Sequence, residues 1–396
     1  MQIVEKRQAM KVPPLLRLAF RPFFLFGSLL ALIAIPLWLL AFSGSAGNWQ
    51  PVGGWLAWHR HELVFGFAAA IIVGFLLTAV QTWTGRPSIS GKPLAGLLLV
   101  WLAARLSWLL AAPLWLLIPL NLLFLLLAAL AMARLLWAVR QKNNYPTVAI
   151  LLLLLLAEAQ SLAGLAQGDH DWQRRAVLAA VWLVAAMMTL IGGRVIPFFI
   201  QRGLGRPAAV KPILWLDRGL LVGAALIAVL HATGLALLPN LPVALLFLLL
   251  GVGHAVRMGR WFDAGLFRVP LLWSLYLAYA WLVLACVGMA LWHAGWLLNV
   301  SQPLHALTVG SMTGLILAML ARVTLGHTGR PLVLPTGMVW AFVLLNAGAV
   351  ARVFLIEVWP QGSLWLAMLC WSLAFALYLW RYAPILCSTR ADGHPG

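Results

Sequence analysis

The chain has 396 residues, of which 64% are hydrophobic and 9% charged, with a mean hydropathy of +0.97. That leaves too little polar surface to coat a water-soluble globule of this size, so the solvent must be lipid, and the strict alternation of a β-barrel is absent. A net charge of +18 would suit a nucleic-acid partner. Here, however, the basic residues are spaced by apolar runs of about twenty residues, which is how a chain is oriented in a bilayer, and nucleic acid is set aside.

Met1 to Lys11 is polar and basic and lacks a small-residue cleavage site after a short apolar core, which reads as a cytoplasmic leader rather than a signal peptide. Apolar runs then lie near 18–42, 57–83, 93–110, 113–138, 146–167, 173–199, 212–236, 239–259, 269–293, 297–325, 335–358 and 360–386, predicting twelve spans of an all-α polytopic membrane protein. With both termini in the cytoplasm of a bacterial inner membrane, all of the 27 lysines and arginines except Arg60, Arg105, Arg174, Arg175 and Arg352 fall at cytoplasmic ends. One missed or extra span would invert every later loop, so this bias also checks the helix count.

The sequence echoes itself with a period of four spans. Residues 61–87 on span 2 align without a gap on 305–331 on span 10, sharing His61/His305, Leu63/Leu307, Gly66/Gly310, Ile72/Ile316 and the endings Thr84-Gly85-Arg86-Pro87 and Thr328-Gly329-Arg330-Pro331. Span 6 closes on Gly205-Arg206-Pro207. The expectation is a single transmembrane domain of repeat-like units near 18–138, 146–259 and 269–386. Convergent loop chemistry is the competing explanation, since a turn glycine, a cytoplasmic arginine and a helix-ending proline suit any inner loop.

The alignment sets His61 and His305 at similar depth on helices that run the same way. Two imidazoles at one height are a ligand set for a haem iron, each with its second nitrogen left for an outer hydrogen bond; the plain alternative is that each packs at the interface. His59 is two residues before His61, about 200° away around a helix, so the two cannot share a metal unless the helix starts between them. His231 at the end of span 7, His293 at the end of span 9 and His170 in a loop join them on the periplasmic side and offer imidazoles to copper, against a structural default for single interfacial histidines. His254, His327 and His394 fall on the other side.

Glu62 is placed to orient the neighbouring imidazole or deliver protons; otherwise it is a carboxylate at a solvated helix start. Glu158 lies inside span 5, where an ionised group is unfavourable unless paired or watered, and reads as a bundle-facing proton or polar site. Gly66, Ala68, Ala69, Ala70 and Gly74, with Gly310 and Gly314, permit close helix approach or room for a flat macrocycle. Cys286, Cys370 and Cys387 have no C-x-x-C spacing and read as buried apolar residues. Phosphate-binding loops, nucleophile elbows and H-E-x-x-H zinc motifs are absent.

At Phe20-Arg21-Pro22-Phe23-Phe24, His59-Arg60-His61-Glu62-Leu63, Gly74-Phe75-Leu76-Leu77-Thr78-Ala79, Trp83-Thr84-Gly85, Gly192-Gly193-Arg194-Val195-Ile196-Pro197-Phe198, His305-Ala306-Leu307-Thr308 and the run from Arg322 to Arg330, the chain resembles the NnrS family. It departs from that family at Leu63, where Met is commoner, and at Gln81-Thr82, where Pro-Asn is commoner. The resemblance implies a haem- and copper-containing inner-membrane protein of denitrifying and pathogenic bacteria, linked to nitric oxide resistance. A looser likeness is to the catalytic subunit of haem-copper oxidases and nitric oxide reductases, in three four-helix arcs with histidines opening helices 2 and 10. Span 6 has no histidine and span 7 only His231, so that family's copper triad does not carry over.

The resulting expectation is a haem b protein with His61 and His305 as axial ligands, with His59, His231 and His293 as further metal candidates and Glu62 and Glu158 in a polar path. Nitric oxide would be bound or reduced, with a quinol or a periplasmic donor supplying electrons; an enzyme of this kind would be a haem-dependent oxidoreductase. The rival is a cofactor-free transporter in which Glu158 couples protons and the repeats give alternating access.

Overall fold

A computed structural model describes residues 10–395, so the first nine residues of the leader lie outside the described chain. Twelve long helices stand where the sequence has its apolar runs: α1 (Phe20–Phe42), α2 (Gly54–Thr84), α3 (Lys92–Leu109), α4 (Leu114–Ala138), α5 (Tyr145–Ala166), α6 (His170–Gly203), α7 (Leu214–Ala232), α8 (Leu241–Arg260), α9 (Pro270–His293), α10 (Ser301–His327), α11 (Met338–Phe354) and α12 (Pro360–Cys387). Eleven are long and apolar enough to cross a bilayer, α11 is a shorter apolar helix of 17 residues, and no strand occurs among the described residues. The chain is a multi-pass membrane protein.

Lipid as solvent explains which face of a helix is apolar. On α8, Leu241, Leu245, Leu248, Leu249, Val252 and Val256 are exposed, while Val243, Phe247, Leu250, His254 and Arg257 are buried. The polar side chains therefore face inward and the leucines outward, the reverse of a helix in water. Of the cysteines, Cys286 and Cys370 are buried as expected, but Cys387, at the end of α12, is exposed.

Two compact units are present. Among the described residues the first comprises 10–177, 320–335 and 375–395, the second 178–319 and 336–374. Within the first, α2 packs against α1 and α4, α3 against α4, and α4 against α5. Its core gathers Trp55, Trp58, Trp108, Leu117 and Leu162. In the second, α8 packs along α9, and α9 and α11 both pack on the first half of α10.

Two helices depart from α geometry, and they do so at the aligned positions. Directly after His61 the chain widens to a π-helix over Glu62–Ala68, and directly after His305 it does so over Ala306–Thr313. Such wide turns insert an extra residue per turn and are concentrated at functional sites. The glycines of the three Gly-Arg-Pro endings also share one conformation, with φ of +67° at Gly85, +63° at Gly205 and +68° at Gly329. A left-handed residue after the last turn is the usual helix stop, and glycine reaches it without a Cβ penalty. The helices these glycines close, α2, α6 and α10, are the most enclosed of the eleven, each with 78% of its most apolar stretch buried, against 33–56% in the other eight.

Candidate functional site

The first unit contains a buried polar cluster built around His61. Helix α2 begins at Gly54, before both histidines, so His59 and His61 point to different sides. His59 is half-buried and stacks on Trp38, with ring centroids 4.6 Å apart and planes 16° off parallel. His61 is fully enclosed, lying 4.5 Å from the Trp108 ring and 5.0 Å from Phe65.

Its two nitrogens meet the two glutamates singled out in the sequence. Nδ1 is 3.0 Å from Glu62 Oε1, and Nε2 is 3.4 Å from Glu158 Oε1. Glu62 is not at a solvated helix end: it is 1% exposed and its Oε1 is also 2.9 Å from Arg105 Nη1. An oxygen that already receives an arginine N–H is an acceptor, so Nδ1 is the ring nitrogen placed to donate to Glu62. Arg105 in turn donates from Nη2 to Asn121 Oδ1 at 2.5 Å, which also receives Trp108 Nε1 at 3.3 Å, while Asn121 Nδ2 donates to Leu117 O at 2.8 Å. Trp101 Nε1 donates to Gly66 O at 3.0 Å, inside the π-helical stretch. Gly66 leaves no room for a side chain, since a methyl group there would stand 3.0 Å from Glu62 Oε2 and against Arg105 Nη1.

Arg105 offsets Glu62, and the imidazole stands between that pair and the Glu158 carboxyl. A buried cluster of ionisable groups persists in an apolar interior when it is compensated in this way.

His305 belongs to the second unit and has a related arrangement. Its Nδ1 is 2.7 Å from Ser301 O, which can only accept, so this nitrogen also carries the proton. Arg352 Nη2 donates to Ser301 Oγ at 2.8 Å, and Oγ is 3.2 Å from His305 Nδ1. As Gly66 meets Trp101, Gly310 abuts the ring of Trp281; Trp281 Nε1 donates to Asn346 Oδ1 at 2.9 Å, and Asn346 Nδ2 donates to Phe342 O at 2.8 Å. An arginine, a tryptophan and an asparagine bonded four residues back thus accompany the aligned histidine in both units.

The second unit also brings His231 and His293 to one aromatic ring. Both are buried, with Phe247 5.4 Å from His293 and 6.5 Å from His231, and Trp182 behind at 4.9 Å from Phe247. His231 Nδ1 donates to Ile227 O at 2.9 Å. His170 is exposed at the start of α6. Among the described residues no three His, Cys, Asp or Glu side chains are grouped to hold a metal ion. An imidazole whose one ring proton is held by an acceptor, as at His61 and His305, has the donor chemistry that a haem iron would take.

Sequence reasoning passed over Arg105 and Asn121, and also a third cluster in the second unit. There His254 Nδ1 lies 2.7 Å from Tyr279 OH, Arg257 Nη2 donates to Thr189 O at 2.9 Å, and Arg257 Nε is 3.1 Å from Asp217 Oδ1. A side chain at Gly193 would collide with the Arg257 guanidinium. The available signal was the same in each case, a polar residue inside an apolar run.

Twelve apolar helices with ionisable groups gathered in their interior define a polytopic helical membrane protein with polar chemistry within its spans. The chain belongs to the NnrS family: the family model described as NnrS protein matches residues 14–390. Membership points to a role in the nitric oxide response. No curated protein matches the chain.

Proposed function

We propose that the chain is a haem b protein of the bacterial inner membrane, with cytoplasmic termini, which acts in the nitric oxide response by binding or reducing nitric oxide, and that His61 is an iron ligand. The observation that carries this reading is the lock on His61. A fully enclosed imidazole has its Nδ1 proton held by Glu62, which Arg105 neutralises, so Nε2 is the nitrogen with an electron pair to give. A histidine that merely fills space would not need three more buried polar side chains, whose desolvation is unfavourable. His305, with the same nitrogen protonated, is the ligand proposed for the second unit.

Bound haem would supply an iron that coordinates a diatomic and exchanges single electrons, drawn from a quinol or a periplasmic donor. The chain's residues set the conditions. Glu62 and Arg105 fix the tautomer and the ring orientation. Trp108 and Phe65 wall the imidazole from water. When Nε2 acts as an electron-pair donor it carries no proton, so a proton between it and Glu158 would reside on the carboxyl. Glu158, 3.4 Å from that nitrogen, would be the group that holds the proton while Nε2 donates its electron pair.

The 3.4 Å approach of Nε2 to Glu158 also favours a second reading, in which the pair itself carries the proton of a cofactor-free transporter. Absorption spectra of the detergent-purified chain, oxidised and dithionite-reduced, separate the two. A b-type Soret and α band in wild type, shifted or lost in His61→Ala, is the outcome expected for haem ligation. A colourless wild type after reconstitution with haem would overturn it and leave the proton carrier.

A further inference from the structure

The end of the first unit where α1 begins and α12 ends carries arginines that the haem reading does not use. Arg21, the second residue of α1, is 0% exposed. Its Nη1 donates to Leu386 O at 2.9 Å and Ser388 O at 2.7 Å, and its guanidinium lies 5.7 Å from the Phe20 ring centre. Arg17, Arg330 and Arg390 lie near enough to repel it. Arg17 is committed to the carbonyls of Val12, Pro395 and Met10. Arg390 holds Asp392 through Nε and Nη2 and His327 O through Nη1. Among the described residues, no carboxylate pairs with Arg21.

The atoms left over on Arg21 are informative. Nε and Nη2 are buried and meet no acceptor among the described residues. These two N–H groups form the side-on edge of a guanidinium, the fork that matches two oxygens of one acid. The same pair grips Asp263 from Arg206, at 2.8 and 3.0 Å, and Asp392 from Arg390. Buried guanidinium groups are otherwise paired, because an uncompensated charge away from water is strongly unfavourable.

We propose that this is an anion site, in which the side-on edge of Arg21 binds a phosphate-type oxyanion through two parallel hydrogen bonds. Arg330 adds the second charge: it is half-buried, and among the described residues its guanidinium makes a long Nη1 contact to Thr328 O at 3.4 Å. The arginine bias assigns this end of the helices to the cytoplasmic boundary, where anionic phospholipid head groups and free phosphate are both at hand. The two sources present the same oxygens, so binding experiments must tell them apart.

The full chain in an uncharged detergent is dialysed against radiolabelled orthophosphate, and in parallel titrated with phosphatidylglycerol or phosphatidylcholine under native mass spectrometry. Wild type is compared with Arg21→Lys, which keeps the charge but removes the fork, and with the more exposed Arg330→Gln. Saturable binding of one anion per chain is expected, weakened about tenfold or more in each folded variant. Binding of both orthophosphate and phosphatidylglycerol identifies a general phosphate site, whereas phosphatidylglycerol alone identifies a lipid head-group site. Failure to bind both orthophosphate and phosphatidylglycerol overturns the proposal, as does equal binding by wild type and folded Arg330→Gln. If Arg21→Lys does not fold, Arg330→Gln decides.

Discussion

Replacing Arg105 by leucine tests whether the His61 cluster is held by compensated charge. The substitution removes the 2.9 Å pairing with Glu62, the hydrogen bond to Asn121 and the approach to the Trp101 ring at 5.8 Å. It leaves a carboxylate that is 1% exposed with His61 as its remaining partner. Breaking a buried pair from one side costs ~3–5 kcal/mol, whereas replacing both partners by apolar residues is often close to neutral. Glu62→Leu with Arg105→Leu still strands the His61 Nδ1 proton, at a cost of ~1–3 kcal/mol. The single variant is therefore expected to be the less stable of the two, with an apparent Tm below wild type by about 5–10 °C. Intrinsic fluorescence of the 22 tryptophans during heating in detergent reads both transitions. A single variant as stable as the double one would refute the account of the cluster.

Further outcomes follow from the same geometry. Gly66→Ala sets a methyl group against Arg105 and Glu62, and a loss of ~1–3 kcal/mol is expected from overpacking, whereas the same change at Gly85, where nothing lies within 4 Å, strains only the backbone and costs about 1 kcal/mol. Tyr279→Phe leaves His254 Nδ1 without its 2.7 Å partner and should lower stability by ~1–3 kcal/mol in thermal unfolding, with His254→Phe in the same background recovering part of it. Outside the membrane, the hydrogen bond from Arg390 holds the Asp392 carboxyl well below the usual carboxylate range. A depressed value in the folded state means stability that is present above the unfolded value of about 4 and lost as pH falls below it. The Tm of Asp392→Asn is therefore expected to lie slightly under wild type at neutral pH and to converge with it as pH drops below about 4.

The spans were readable because lipid imposes run length and charge side at once, and the structure moved their ends by only a few residues. Helix α2 starts at Gly54 rather than near 57 because Gly53 and Gly54 adopt positive φ and begin the helix earlier, which separates His59 from His61. His61, Glu62 and Glu158 were readable as polar groups against an apolar background. Arg105 was not, because counting charges by side treats it as one of the few exceptions to the bias rather than as a counter-ion. Asn121 was lost in a run of leucines. The π-helical stretches carry no breaker that distinguishes them from ordinary α-helix. The partners of Gly66 and Gly310, Trp101 and Trp281, lie outside the aligned segments, so the fuller echo emerges only in three dimensions.

The most direct test of the central claim is haem stoichiometry by pyridine haemochrome for wild type and for His61→Gly, the latter prepared with and without added imidazole. The account expects b-type haem in wild type, a lower content in His61→Gly, and recovery when imidazole enters the space left by the side chain. Equal haem in His61→Gly without imidazole, or none in wild type, would contradict it.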